Sequence, residues 1–447
     1  MYASHDYFYT LIGVNNQLMG EDDGIKRSVM LDVLSIYIPS FFNTIGMSIV
    51  APILPIYARS FGVSFAIASL AVTAYAFGRF IADIPVGIAA DKWGRRPMML
   101  MGCALVTIMA LANANVTDFS WFLVFRVLQG IGSSMWMTSR QTILADILKP
   151  EERGRIMGYF QAFMLIGQSA GPTFGGWIAD NYGLRAPFYF YAGISLLTLL
   201  ISYYLIHEPK GIVKKGGGGH LPSLEDTKRL LKNTTFAMAC LATLTVTFQR
   251  QGIRNNLLPI YAGTEIGMSM TDVGTILSYA TLANLLLTVP MGYAIDLIGR
   301  KPVIIWNVII LAAANLSFVF SKDYWSMSLA AVVLGIASAG AGQAPASLAV
   351  DASYNERRGL AMGLYRLVSD VGSMIGPVLL SGIADLTDLR TPFYVMTGIL
   401  IINAFLHAVL TKELVDVKKS REEQYRKGIK IGSFKWGGKP DPRTTHN

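Results

Sequence analysis

The sequence predicts an all-α integral membrane protein, with twelve transmembrane helices forming two pseudo-symmetric six-helix bundles. Three observations predict it. Of the 447 residues, 52% are hydrophobic and 15% charged, against roughly 25% charged residues in soluble domains. Apolar stretches of about 20 residues recur along the chain, the length a helix needs to cross a ~30 Å hydrocarbon core. The second half also repeats the first at an offset of 205 residues.

The spans fall at roughly 30–58, 66–90, 97–115, 121–145, 156–178 and 187–206 in the first half. In the second they fall at 235–262, 271–294, 302–320, 325–348, 359–383 and 392–411. A backbone in lipid must satisfy its own hydrogen bonds, so these runs are helices. Several contain Gly and Pro, which packed membrane helices tolerate and water-exposed helices rarely do. A large soluble helical protein would need charged helix faces that are missing here. The domain plan is a tail at 1–28, a bundle at 29–206, a linker at 207–233, a bundle at 234–411 and a basic tail at 412–447. Gly216–Gly219 make the linker flexible, and Ser223–Leu231 reads as a short amphipathic helix within it. The first 25 residues have no basic segment followed by a cleavage site, so they do not read as a signal peptide.

The repeat is dense. "GIAADKWGRRP" from Gly87 has its counterpart in "GYAIDLIGRKP" from Gly292. "GQSAGPTFGGWIAD" (Gly167–Asp180) aligns with "GSMIGPVLLSGIAD" (Gly372–Asp385), and "RAPFYFYAGI" from Arg185 with "RTPFYVMTGI" from Arg390. Asp146 and Gly158 match Asp351 and Gly363 at the same offset. "LPIYA" recurs at Leu54 and Leu258, an offset of 204, so one residue of length changes before Gly62. Two like halves in parallel suit rocking about a site at the membrane midplane.

The net charge of +9 invites a nucleic-acid reading, but its distribution follows topology instead. With the N-terminus inside, 28 of the 38 Lys and Arg lie on the inner side, four lie on the outer side and six lie within spans. That bias places both termini in the cytoplasm of a multi-pass protein of the cell membrane, and the basic tails can touch anionic lipid. Cys103 and Cys240 lie inside apolar spans without metal-ligand spacing and read as buried thiols. Five scattered His, with no nucleophile–base pair, metal cluster or phosphate loop, argue against an enzyme.

Four stretches together resemble the major facilitator superfamily across essentially the whole chain. Gly87, Asp91, Gly94, Arg95, Arg96 and Pro97 are similar to its signature loop between the second and third helices. "RVLQGIGSS", holding Arg126 and Gln129, resembles its fourth-helix motif. Gly167, Gly171, Pro172, Gly175 and Gly176 resemble the fifth-helix motif of proton-coupled exporters, and "APILPIYA" (Ala51–Ala58) the first-helix end of the twelve-helix drug:proton antiporter branch. The resemblance implies a secondary active transporter working by alternating access on a small molecule. It implies no cofactor beyond a proton gradient, a functional monomer, and no nucleic-acid partner. An exporter of amphipathic or organic compounds is the leading reading. Uptake or facilitated transport of one organic solute, with an anion among the candidates, is the alternative.

The charged residues supply candidate sites. Asp91, Arg95 and Asp146, with Asp296, Arg300 and Asp351 in the repeat, could form a cytoplasmic gate; the resemblance implies that such clusters latch the inner side. Arg79 and Asp83 in the second span, and Arg366 and Asp370 in the eleventh, are each spaced four apart, so each pair can neutralise itself along one face. A carboxylate whose arginine comes and goes is also what a proton carrier needs, which makes Asp83 and Asp370 candidates, with Asp32 weaker. Arg126 has no acid on its own helix face, and the family motif implies a role in proton coupling. Arg140 is expected to snorkel or join the gate. Arg250 and Arg254 break the repeat, whose register gives Gly46 and Val50, and so point to a task specific to the second half. Gly376 and Pro377 repeat the helix-bending motif of the fifth span.

Overall fold

The computed structural model describes residues 21–147, 150–206, 224–353 and 358–413. The tails and most of the linker lie outside the described residues. The first half contains α1 (Glu21–Val50), α2 (Leu54–Arg59), α3 (Phe65–Trp93), α4 (Arg95–Asn115), α5 (Phe119–Ile147), α6 (Pro150–Tyr182) and α7 (Ala186–Leu205). After α8 (Leu224–Lys232), the second half contains α9 (Thr234–Gln249), a π-helical segment (Arg250–Leu257) and α10 (Leu258–Thr264). It continues with α11 (Met270–Ile298), α12 (Arg300–Phe320), α13 (Tyr324–Ala341), α14 (Gln343–Asp351), α15 (Arg358–Leu386) and α16 (Thr391–Leu410). Among the described residues there is no strand.

Proline explains where the rods break. Each half opens with a helix interrupted just before "LPIYA", where Pro55 or Pro259 stands in the first turn of a short helix. Proline has no N–H, and its ring crowds the carbonyl four residues back. In the second half the ladder widens instead of stopping, and Leu258 N–H donates to the Ile253 carbonyl five residues back. The one-residue length change falls at the far end of this element, since α10 has seven residues and α2 six. Gly94 and Gly299 each separate two long helices by a single residue at φ of 98° and 106°, a backbone region that strains other residues. These two positions explain why the signature loop keeps its second glycine in both copies.

Eight helical stretches of the described residues are long and apolar enough to cross a membrane. The other four rods of the twelve are α1–α2, the segmented α9–α10 rod, α5 with its two arginines and the glycine-rich α6. Every apolar core cluster draws its buried members from one half only. The largest runs from Leu230 to Leu400 and Ala404, and three smaller ones lie between Ile36 and Ile206. The short amphipathic helix expected in the linker is α8, and its Leu230 is buried in the second half's core. Asn233 then caps α9, accepting from the N–H groups of Thr235 and Phe236 and donating to the Ala352 carbonyl at 3.0 Å.

The two halves meet through α3 against α15 and α6 against α11, and the seam differs at its two ends. At the end away from the Gly94 and Gly299 turns it is tight. A Cβ on Gly176 would lie 2.0 Å from the Met270 carbonyl oxygen, and one on Gly274 would lie 2.1 Å from that of Pro172. Thr173 and Ser278 share a hydrogen bond of 2.8 Å, and Thr73 donates to the Met374 carbonyl at 2.8 Å. At the basic end the same four helices stand apart. Among the described residues, nothing lies within 4 Å of a Cβ on Gly87, Gly158 or Gly363, and only the Gln343 side chain at 3.7 Å faces Gly292. These four are repeat partners on α3, α11, α6 and α15, so the opening is symmetric. Ile84 and Ile88 on α3 are left 76% and 67% exposed.

Candidate functional site

The glycine motif of α6 does two jobs. Gly171 and Gly175 press on α1, with their Cβ positions 2.4 Å from Ser48 Cβ and 2.0 Å from the Ile49 carbonyl oxygen, while Gly176 presses on α11 across the seam. Gly167 meets Ile45 and Phe41 of α1 at 3.2–3.3 Å. Gly376 on α15, the counterpart of Gly171, packs on α9, with its Cβ position 2.7 Å from the Phe248 carbonyl oxygen. Pro172 and Pro377 lie inside these helices. Such close approach through small residues is how membrane helices gain contact without a hydrophobic drive.

Two acids that sequence reasoning passed over close the sealed end. Asp180, at the end of α6, accepts from Met270 N–H at 3.0 Å, Thr271 N–H at 2.8 Å and the Thr271 hydroxyl. It thus caps the N-terminus of α11 in the other half. Asp385, at the end of α15, accepts from Phe65 N–H and Ala66 N–H at 2.8 Å each and caps α3. The pair stands at the repeat offset. Its signal was present as the shared "IAD", but nothing in spacing says that the helix being capped belongs to the opposite half.

At the basic end the gate residues are arranged within each half. Arg95 reaches Asp91 at 3.9 Å. Arg300 lies 3.7 Å from Asp296 and donates to Asp351 at 2.9 Å. Asp146 sits on α5, but its side chain, like that of Asp32, lies outside the described residues. The expected three-membered cluster is therefore present in the second half, and two members of it are visible in the first.

The membrane-depth arginines differ from expectation in two ways. Neither Arg79 with Asp83 nor Arg366 with Asp370 forms an ion pair within 4.0 Å. Asp83 instead accepts from the Ser134 hydroxyl of α5, and Asp370 lies within electrostatic reach of Arg79 and Asp83 of the other half as well as of Arg366. Four-residue spacing alone could not show these partners. Arg140 does not snorkel. It is 7% exposed and lies over the Phe160 ring, 4.8 Å from its centroid.

Arg126 is 7% exposed and finds uncharged partners. Its Nε donates to the Ala71 carbonyl at 3.0 Å, its Nη1 to Gln129 Oε1 at 2.6 Å, and its guanidinium lies 4.7 Å from the Tyr75 ring centroid. Tyr75 in turn donates to Ser133, and Asn113 to Gln129. The fourth-helix motif thus ties α5 to α3 and α4.

Arg250 and Arg254 both fall in the π-helical segment. Arg254 donates to Thr281 of α11 at 2.6 Å, and Arg250 is exposed although it lies midway along its rod. Wide turns of this kind recur at functional sites. Among the described residues no group of His, Cys, Asp or Glu could hold a metal.

The Major Facilitator Superfamily family model matches residues 36–251 and 239–438, one copy per half. The chain belongs to the major facilitator superfamily. Its fold is accordingly the twelve-helix fold of that family, and it is a multi-pass membrane transporter, not an enzyme. It is 27% identical over 362 residues to an uncharacterized MFS-type transporter of Methanocaldococcus jannaschii, covering 79% of this chain and 92% of that one. It is 26% identical over 317 residues to the quinolone resistance protein NorA of Staphylococcus aureus, covering 70% and 79%. Among solved structures it resembles a bacterial homolog of the human lysosomal transporter Spinster in an inward-facing, occupied conformation, with a TM-score of 0.72 and 16% identity, covering 86% and 96%.

Proposed function

We propose that this major facilitator superfamily transporter is a proton-coupled exporter of small organic and amphipathic compounds, working by alternating access. The observation that carries the reading is the pair of half-buried aspartates, Asp83 and Asp370, set with arginines on the two helices whose seam is open at one end and sealed at the other. The likeness to NorA supports export. With the basic end in the cytoplasm, the conformation described here is inward-facing.

The register of the seam supplies the other state. Phe65 and Ala66 meet Asp385, and Thr73 meets Met374, so α3 and α15 run antiparallel in contact. From Thr73 to Arg79 is six residues, and from Met374 back to Asp370 is four; Asp83 and Arg366 lie four further along each helix. Closing the inner end therefore brings Arg79 opposite Asp370 and Asp83 opposite Arg366, two crossed pairs between the halves. A nearby arginine favours the carboxylate and desolvation favours the acid, so making and breaking these pairs couples a proton to the rocking. Asp91 and Arg95, with Asp296, Arg300 and Asp351, latch the inner side in that closed state, and Arg126 holds α5 against α3 as the latter moves. The experiment is transport by Asp370→Asn in proteoliposomes. Substrate exchange at equal pH persists and accumulation driven by a pH gradient is lost; accumulation at the wild-type level would overturn the coupling role.

A further inference from the structure

We propose that the central cavity carries a binding site for the anionic group of an organic substrate, formed by Arg250 and Arg254 on the π-helical segment with Arg79 within electrostatic reach. This rests on the transporter reading and names the substrate class for its site.

Three observations lead to it. First, positive charge at this depth exceeds negative. Arg79, Arg250, Arg254 and Arg366 lie within the spans of α3, the π-helical segment and α15, and the acids on those elements at the same depth are Asp83 and Asp370. Asp370 is already within reach of both Arg79 and Arg366, and Asp83 accepts a hydrogen bond from Ser134. Second, the arginines crowd one another. Arg250 lies within electrostatic reach of Arg79 from the other half and of Arg254 from its own segment. Like charges at membrane depth are costly without a partner, and such residues normally face a cavity or a ligand.

Third, the neighbouring amides spend donors on one another and on Ser381, and Asn256 Oδ1 and Asn315 Nδ2 stay without a partner among the described residues. Gln249 donates to Asn315 at 3.1 Å, Asn256 to Ser381 at 2.8 Å, and Asn255 to Gln251. Arg254 spends one donor on Thr281, whereas Arg250 has no hydrogen bond or ion pair among the described residues and is exposed, within electrostatic reach of Arg79 of the other half. The Arg79 Nε is buried and has no partner among the described residues. A guanidinium presents five donors in a planar fork suited to a carboxylate, phosphate or sulfonate. The site is also absent from the first half, where Gly46 and Val50 occupy the matching positions. An anion would therefore be held asymmetrically, by the second half, with Arg79 meeting it across the seam.

The test is direct binding to purified full-length protein, with no gradient, of naphthoate and of naphthamide, its uncharged isostere. Naphthoate binds about tenfold more tightly or better, the margin that charge-assisted hydrogen bonds supply. Arg250→Gln and Arg254→Gln each shrink that margin, and Arg250→Glu moves the preference to naphthylmethylamine. Equal affinity for the first two, a preference for the amide, or binding of neither by the wild-type protein overturns the proposal, whether or not the variants fold. The outcome separates from that of the export reading. Preferred binding of naphthoate with flux indifferent to pH leaves the anion site standing without proton coupling. Flux driven by a pH gradient with no preference for naphthoate leaves export standing without the anion site.

Discussion

Replacing both Asp180 and Asp385 by Ala should shift the protein out of the conformation in which this end of the seam is sealed. Asp180 takes three hydrogen bonds from α11 and Asp385 takes two from α3. Each carboxylate also sits at a helix N-terminus, where an exposed negative charge contributes about 0.3–1 kcal/mol. Hydrogen bonds to charged groups contribute roughly 1.5–3 kcal/mol at their strongest, but both acids are exposed, so water replaces much of what is lost. About 1 kcal/mol per cap is a reasonable net figure, and the caps act on the same equilibrium from opposite halves. Loss of both, about 2 kcal/mol, changes the ratio of the two conformations roughly 30-fold. Spin labels on Asn181→Cys and Glu265→Cys, exposed positions in opposite halves at the sealed end, report the separation by pulsed electron resonance. The wild-type protein gives one short distance. The double variant gains a second, longer population, and each single variant gains less. An unchanged distance distribution in the double variant would refute the idea that these caps hold the outer end shut.

Other outcomes follow from the same geometry. Gly176→Val drives a side chain into the Met270 carbonyl and Gly274→Val one into that of Pro172, so both should insert into membranes yet lose the sealed outer seam, seen as outer-side labelling of a Thr73→Cys reporter. Gly87→Leu meets nothing within 4 Å among the described residues; it should leave thermal stability near wild type while slowing transport, because only closure of this end leaves no room for it. Arg126→Met strands the Gln129 and Tyr75 partners in a buried site and should cost about 1–3 kcal/mol of stability, measured as a lower unfolding temperature at neutral pH. In the loop between α15 and α16, the N–H and hydroxyl of Thr391 hold the Asp388 carboxyl below the usual carboxylate range. A depressed value stabilises the fold above the ordinary carboxylate range and is lost as pH falls through the lowered value. Asp388→Asn should accordingly flatten the acid limb of a melting-temperature profile and leave the neutral region little changed.

Much of the fold could be read from the chain because lipid imposes simple rules. Span length follows from bilayer thickness, and the recurrence of Asp91, Gly94 and Arg95 as Asp296, Gly299 and Arg300 shows that one half is a copy of the other. The packing role of the glycines in α6 was likewise legible, since Gly171, Gly175 and Gly176 need close neighbours to make sense inside a membrane. What failed was orientation about the helix axis. Arg79 with Asp83, and Arg366 with Asp370, have spacing that suits pairing along one helix, yet neither pair forms: Asp83 takes the Ser134 hydroxyl of its own half, and Asp370 lies within electrostatic reach of Arg79 across the seam. Arg140 looked close enough to the inner end to reach water, but Phe160 offers it a ring nearer at hand. The π-helical segment is invisible to hydrophobic periodicity, which cannot register one widened turn; its trace was the break in the repeat at Arg250 and Arg254. Asp180 and Asp385 were visible as a repeated pair, but capping across the halves is a contact that no local pattern encodes.

The central claim is that rocking of the two halves carries a proton through Asp83 and Asp370 in exchange for substrate. The most direct measurement is the internal pH of proteoliposomes holding the purified protein, recorded as a transported substrate is added without any imposed gradient. The account predicts substrate-driven proton movement in the wild-type protein and none in Asp83→Asn or Asp370→Asn. Substrate flux with no accompanying proton movement, or the same proton movement in both variants, would contradict it.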